Sequence, residues 1–387
     1  MLAIINAEIV PVSGDPISGG TVLVEDGRIV ALGTDVDIPD GTRIIDAAGR
    51  TVTPGIVEAH AHVGISEQGL GAEGSDHNET TDPVTPHMRA IDGINPRDDA
   101  FREFREAGIT SALVPPGSAN LLGGSAVVIK CAGDIVDDMV MKDPAGMKAA
   151  LGENPKGAYG KRQGKAPATR MGSAALLREA LTAAAEYLEK KEKVEGGGDP
   201  PSYNAKHEAM IPVLRGEMPL RIHCHRADDI VTAVRISEEF GLKYTLEHVT
   251  EGQYVAELLA KHQVPCAVGP TLQHGSKVEN RERDFRAPIA LIRAGVPMCF
   301  TTDHPVVAGQ FLPLTAGIAV SWGMDYDVAL RCITLASAEH AGVADRVGSL
   351  EAGKDADIVI WSGDPLDYGT FADVTIIDGE IVYEREV

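Results

Sequence analysis

TVTPGIVEAHAHVG, residues 51 to 64, reads as one buried β-strand that ends in two histidines, His60 and His62. Side chains alternate across a strand, so positions two apart project from the same face and can hold one ion together. The His-Ala-His end is a candidate metal clamp; the plainer reading is a pair of histidines in an ordinary sheet. The segments on either side decide between them.

Downstream, roughly residues 53 to 345 alternate short apolar runs with helical stretches, the texture of βα units and a parallel sheet. Eight runs stand out: TPGIVEAHAH (53–62), GITSALVPP (108–116), SAVVIKCAG (125–133), MKAALGE (147–153), PLRIHCH (219–225), KYTLEHV (243–249), VPCAVGP (264–270) and VPMCFTTD (296–303). Eight such units predict an α/β protein built on a closed (β/α)8 TIM barrel, whose active site gathers at the C-terminal ends of the strands.

Upstream, residues 1–52 alternate apolar and polar residues between Asp-Gly and Gly-Gly turn signals, and residues 346–387 repeat that texture. The two ends are expected to form one composite β-sandwich domain beside a barrel of residues 53–345.

The ends of the runs carry His60, His62, Glu153, His223, His225, His248 and Asp303. Imidazole nitrogens and carboxylate oxygens converging at one rim suit Zn²⁺, Fe²⁺ or Mn²⁺. Taken singly, each has a plainer role: a core histidine satisfied by a carbonyl, Asp303 capping a turn before Pro305, Glu153 in a Gly-Glu-Asn-Pro turn. Seven together at strand ends favour a site.

With PGIVEAHAH, RIHCH, LEHV and TTDHP in that order, and GKDADIVIWSGDP near the C-terminal end, the chain resembles the metal-dependent amidohydrolase superfamily over nearly its whole length, most closely imidazolonepropionase-like and prolidase-like members. The resemblance implies a barrel with a flanking β-sandwich and one or two divalent metals, Zn²⁺ foremost, that activate water to hydrolyse an amide-type C–N bond. It implies His60, His62, His223, His248 and Asp303 as metal ligands, with Asp303 moving the proton and His248 or His225 steadying the oxyanion. His225 and His304, the latter from TTDHP, are the candidate substrate contacts. Relatives carry a carboxylated lysine or a glutamate on the fourth strand; Glu153 is the favoured equivalent here, Lys130 of VVIKCAG the alternative. A deaminase of the same superfamily, or a catalytically silent barrel that binds a partner, are the competing readings. The complete ligand set argues against the silent barrel.

Composition narrows the partners. A net charge of −22 and a pI of about 4.9 weigh against nucleic acid and anionic membranes, which attract positive surface. A small-molecule substrate is expected, and, on resemblance alone, a homo-oligomer. The five scattered cysteines include no CxxC pair, and no leader or apolar span is recognisable, so a cytoplasmic protein with reduced thiols is expected. Residues 171 to 194 form the strongest helix, followed by the breaker EGGGDPPS. HNETTDPVTPHM after the first barrel strand is either a lid or a surface loop, and the glycines of PPGSANLLGGS make a rim loop without a catalytic role. The basic run Lys156, Lys161, Arg162, Lys165 and Arg170 is either solvated surface or a seat for a substrate carboxylate.

Overall fold

The computed structural model describes residues 1–194 and 200–386, so residues 195–199 of the EGGGDPPS breaker lie outside the described residues. The N-terminal strands are β1 (Leu2–Ile9), β2 (Ile17–Glu25), β3 (Arg28–Gly33), β4 (Arg43–Asp46) and β5 (Thr51–Pro54). The β2–β3 hairpin turns on Asp26 and Gly27, both at positive φ, the Asp-Gly geometry that matches strand twist. The stretch 51–64 is not one strand. β5 pairs with β1, and after Gly55 the chain enters a second sheet as β6 (Ile56–Glu58). One residue separates the two sheets.

The second sheet contains β6, β7 (Ile109–Val114), β8 (Leu122–Lys130), β9 (Val140–Ala150), β10 (Leu220–Cys224), β11 (Tyr244–His248), β12 (Cys266–Val268) and β13 (Met298–Phe300), in that spatial order. All eight apolar runs contribute a strand. The seam between β13 and β6 is spanned by His62 N donating to His304 O at 2.8 Å and Thr301 Oγ1 donating to His60 O at 2.6 Å. Helices Asp99–Glu106, Ala227–Glu239, Ala256–His262 and Arg286–Arg293 fill crossovers, as a (β/α)8 barrel requires. Helix Arg170–Val194 falls where composition places it, packed against Ala205–Leu214 in the long β9–β10 connection.

One strand departs from the expected parallel order. β8 runs antiparallel to both β7 and β9. The β7–β8 connection is too short for a crossover helix, and a chain that turns back within a few residues must pair antiparallel. The start of β8 therefore lies at the catalytic rim, where Leu122 faces Ala149, and its end, Lys130, lies at the base opposite Ser111.

The chain then returns to the first sheet through β14 (Ile358–Trp361), β15 (Ala372–Ile377) and β16 (Glu380–Glu384). Strands from both ends share one sheet, branched at β1, around a core that includes Ile4, Ile9, Val22, Ile29, Val52, Ile358 and Ile376. The junction with the barrel is ionic. Lys130, almost wholly buried, contacts Asp357 at 2.6 Å and Asp355 and Asp378 at 3.0 Å. Burial works against its charge, but Asp357 and Asp378 outweigh it and hold Lys130 above the ordinary lysine range.

Candidate metal centre

His60 and His62 sit just beyond β6, and both are buried. Their Nε2 atoms approach the same oxygen, Asp303 Oδ1, at 3.8 and 3.4 Å. Each is oriented from behind: His60 Nδ1 meets Glu247 Oε2 at 3.1 Å, and His62 Nδ1 donates to the Pro115 carbonyl at 3.0 Å. A ring whose Nδ1 donates backwards presents the lone pair of Nε2 to the interior.

Asp303 follows β13, and His248 ends β11; both have φ above zero, 54° and 77°. Such backbone is costly for residues other than glycine and concentrates at functional positions. Glu58 fixes the Asp303 turn, accepting from the Thr302 amide and hydroxyl and from the Thr301 hydroxyl while also accepting from His60 N. His248 Nδ1 donates to Gly269 O at 2.9 Å and lies 3.9 Å from Asp303 Oδ2. Burial opposes the Asp303 charge, yet His248, His62 and His60 hold its carboxyl well below the usual range. Burial, with neighbouring cations, keeps His60, His223 and His225 well below the ordinary imidazole range, and burial brings His248 down to about 4. Neutral imidazoles are the form that binds a metal.

His223, at the end of β10, and His225 complete the ring of imidazoles: His223 lies 4.4 Å and His225 4.9 Å, centroid to centroid, from His248. His225 Nδ1 bonds Thr250 Oγ1 at 2.7 Å. Two triads offer ligand atoms within 4.8 Å of one another: His60, His62 and Asp303, and His223, His225 and Glu279. His248 Nε2 and His223 Nδ1 are buried and have no hydrogen-bond partner among the described residues. Orphaned imidazole nitrogens beside a carboxylate are what a divalent metal of the zinc type would satisfy, so the donor set fits one.

The residue that sequence reasoning missed is Lys148. It lies on β9, is fully buried, and its Nζ is 3.0 Å from His60 Nε2. Burial lowers it to about 8. No carboxylate stands within 4.0 Å of it among the described residues. The signal was a lysine inside the small apolar run MKAALGE.

Three expected site residues stand apart from the ring of imidazoles. Lys130 is at the base of the barrel with its aspartates, because the strand it ends is reversed. Glu153 lies three residues beyond β9, which stops at Ala150; its carboxylate accepts from Glu279 N while its own amide donates to Glu279 Oε2, so it joins neither triad. His304 turns away from the substrate side, accepting from Gly309 N and packing edge-on to Phe104 at 5.2 Å.

Above the histidines opens a cavity of about 590 Å³, lined among others by His62, His77, His223, His225, Glu153 and Asp303. The insertion after β6 closes over it. His77 stacks on His62 at 5.3 Å, its carbonyl accepts from Gly117 N, and Asn78 Oδ1 accepts from Ala119 N at 2.8 Å. Farther along, Tyr159 OH donates to Asp82 O at 2.9 Å. His87, at the other end of the insertion, is exposed. The glycine loop after β7 is thus the shelf on which the insertion rests.

The amidohydrolase family model matches residues 51–382. Among curated proteins, the chain is similar to amidohydrolase tasK of Hapsidospora irregularis, 32% identical over 95% of this chain, which spans 40% of that relative's length. It is also similar to the imidazolonepropionase of Sphingopyxis alaskensis, 24% identical over 94% of this chain and 92% of the relative. Among solved structures, an amidohydrolase from Thermotoga maritima MSB8 matches with a TM-score of 0.96 and 41% identity over all of both chains.

Proposed function

The chain belongs to the amidohydrolase family, and from that premise we propose that it is a metal-dependent hydrolase of a carbon–nitrogen bond, such as an amide, cyclic amide or dipeptide-like bond. The observation that carries the reading is the convergence of His60 and His62 on Asp303, with His248 and His223 adjacent, on the floor of a cavity of substrate size. His60, His62, His223, His248 and Asp303 would hold one or two divalent ions, Zn²⁺ first among candidates. Such an ion supplies Lewis-acid activation of water and of the scissile carbonyl.

Lys148 takes the fourth-strand position in place of Glu153 or Lys130. Its neutral amine adds carbon dioxide and releases a proton, and the resulting carbamate offers two anionic oxygens where the lysine alone offers none. Asp303 accepts the proton of the attacking water and passes it to the leaving nitrogen. His225, held by Thr250, donates to the developing oxyanion. Glu58 and Glu247 keep Asp303 and His60 in place.

Elemental analysis of protein purified without chelator tests this, together with hydrolysis of a panel of amides, cyclic amides and dipeptides. Two ions per chain, falling to one in Lys148→Ala, with hydrolysis lost on chelation and restored by zinc, is the expected result. Protein that takes up no ion after soaking with zinc or manganese overturns it. Ammonia released from amino-substituted rings, with amides untouched, would assign the deaminase chemistry instead.

A further inference from the structure

The cavity wall is basic in a chain that is acidic. Acidic residues outnumber basic ones 57 to 35, yet the wall presents Lys161, Arg162, Lys277 and Arg283 against only Glu153 and Asp303. Excess positive charge facing inward focuses a field on whatever enters. Two of these cations differ in how their charge is met. Lys277 pairs with Glu279 at 3.2 Å and also donates to Asn154 Oδ1. Arg283 has no carboxylate within 4.0 Å among the described residues, and its Nη1 donates to the neutral Gln273 Oε1. Its Nε is buried and has no partner there.

A partly buried guanidinium without a carboxylate in contact bears a desolvation cost that the more distant Asp303 and Glu279 offset only in part. Its planar edge is suited to a carboxylate, which it binds through two parallel N–H donors. Of the basic run 156–170, Arg170 is already committed to Asp229 at 2.9 Å, whereas Lys161 and Arg162 stand at the cavity mouth.

We propose that the substrate carries a carboxylate set apart from the C–N bond to be cut, and that the Arg283 guanidinium receives it, with Lys161 and Arg162 drawing the anion inward. The proposal rests on the cavity being the substrate site of the hydrolase described above. The chemical class is an amide of an amino acid, or a cyclic amide, with a free carboxyl group. Arg283 fixes that end of the molecule, while the imidazoles and Asp303 face the other.

Calorimetric titration of the metal-replete protein with N-acetyl amino acids and their primary amides isolates the charge, because each pair differs in little else. The acids are expected to bind about tenfold tighter or more than the amides, a preference abolished by Arg283→Gln and partly kept by Arg283→Lys. Arg162→Ala should give a smaller loss that disappears at high salt. Metal content and thermal midpoint of each variant confirm that it is folded and loaded. Acid and amide binding equally in every pair, or a preference that survives Arg283→Gln, overturns the proposal. Hydrolysis followed on the same pairs separates the two readings. An Arg283-dependent preference with no bond cut leaves this inference standing and removes the hydrolase; cleavage of acids and amides alike does the reverse.

Discussion

Lys130 and Lys148 are both buried lysines on adjacent barrel strands, and their surroundings are opposite. Because β8 and β9 run antiparallel, residues near the C-terminal end of each lie at opposite ends of the barrel. Lys130 holds three aspartates at 2.6 to 3.0 Å. Lys148 holds an imidazole nitrogen at 3.0 Å and no carboxylate among the described residues. Counter-charges lift one lysine above its ordinary range, and burial pulls the other down to about 8. A lysine surrounded by acids is fixed as a cation and joins structural parts; one left without them keeps a reactive amine available.

The sharpest way to break this contrast is to remove both amines separately. Lys148→Met should cost about 10³-fold in kcat/KM, about 4 kcal/mol of transition-state stabilisation, and leave the thermal midpoint unchanged or higher. Full activity in that variant, measured on any substrate the protein hydrolyses, would sink the chemical role. Lys130→Met should do the opposite, lowering stability by about 3–5 kcal/mol because buried Asp357 loses its cation and Asp355 keeps only Arg28 and Arg346. Urea unfolding checks it, and metal per folded chain should not change; an unaltered midpoint would mean that water already serves those aspartates.

Next in size, Glu247→Gln should weaken metal affinity about 10- to 100-fold by loosening the His60 ring. Competition with a chromophoric chelator reads this directly. The smallest effect concerns pH. Burial pushes Glu58 up to about 7, against the hydrogen bonds from Thr302 and Thr301. Its folded value exceeds its unfolded one, so stability from this group is present below about pH 4.3 and declines as pH rises toward 7. Glu58→Gln should flatten that part of the stability profile; an unchanged slope would show that Glu58 is ionised throughout.

Much of this was legible from local pattern. The eight apolar runs, the Asp-Gly hairpins and the histidines of His-Ala-His, RIHCH and LEHV are signals confined to a few residues, and the structure brings those histidines together. The failures share a cause. Reading Lys130 as a rim residue and Glu153 as one of the ligand cluster assumed that every run points the same way and ends where its apolar character ends. Strand direction is set by the length of the β7–β8 connection, and the end of β9 by pairing with β10; neither is written in the run itself. Lys148 was overlooked because it lies inside a run. His304 follows Asp303 directly, and only the turn at Asp303, with φ of 54°, decides which of the two faces the cavity.

The ionic junction at the base of the barrel also bears on the order in which the protein is made. Lys130 and its nearest aspartate, Asp357, are 227 residues apart in sequence. On a ribosome the barrel strands emerge long before Asp355, Asp357 and Asp378, so the nascent barrel carries an unneutralised ammonium at its base until that segment arrives. The segment that carries these aspartates thus acts as a latch, and the barrel acquires its full stability only after that segment has been made.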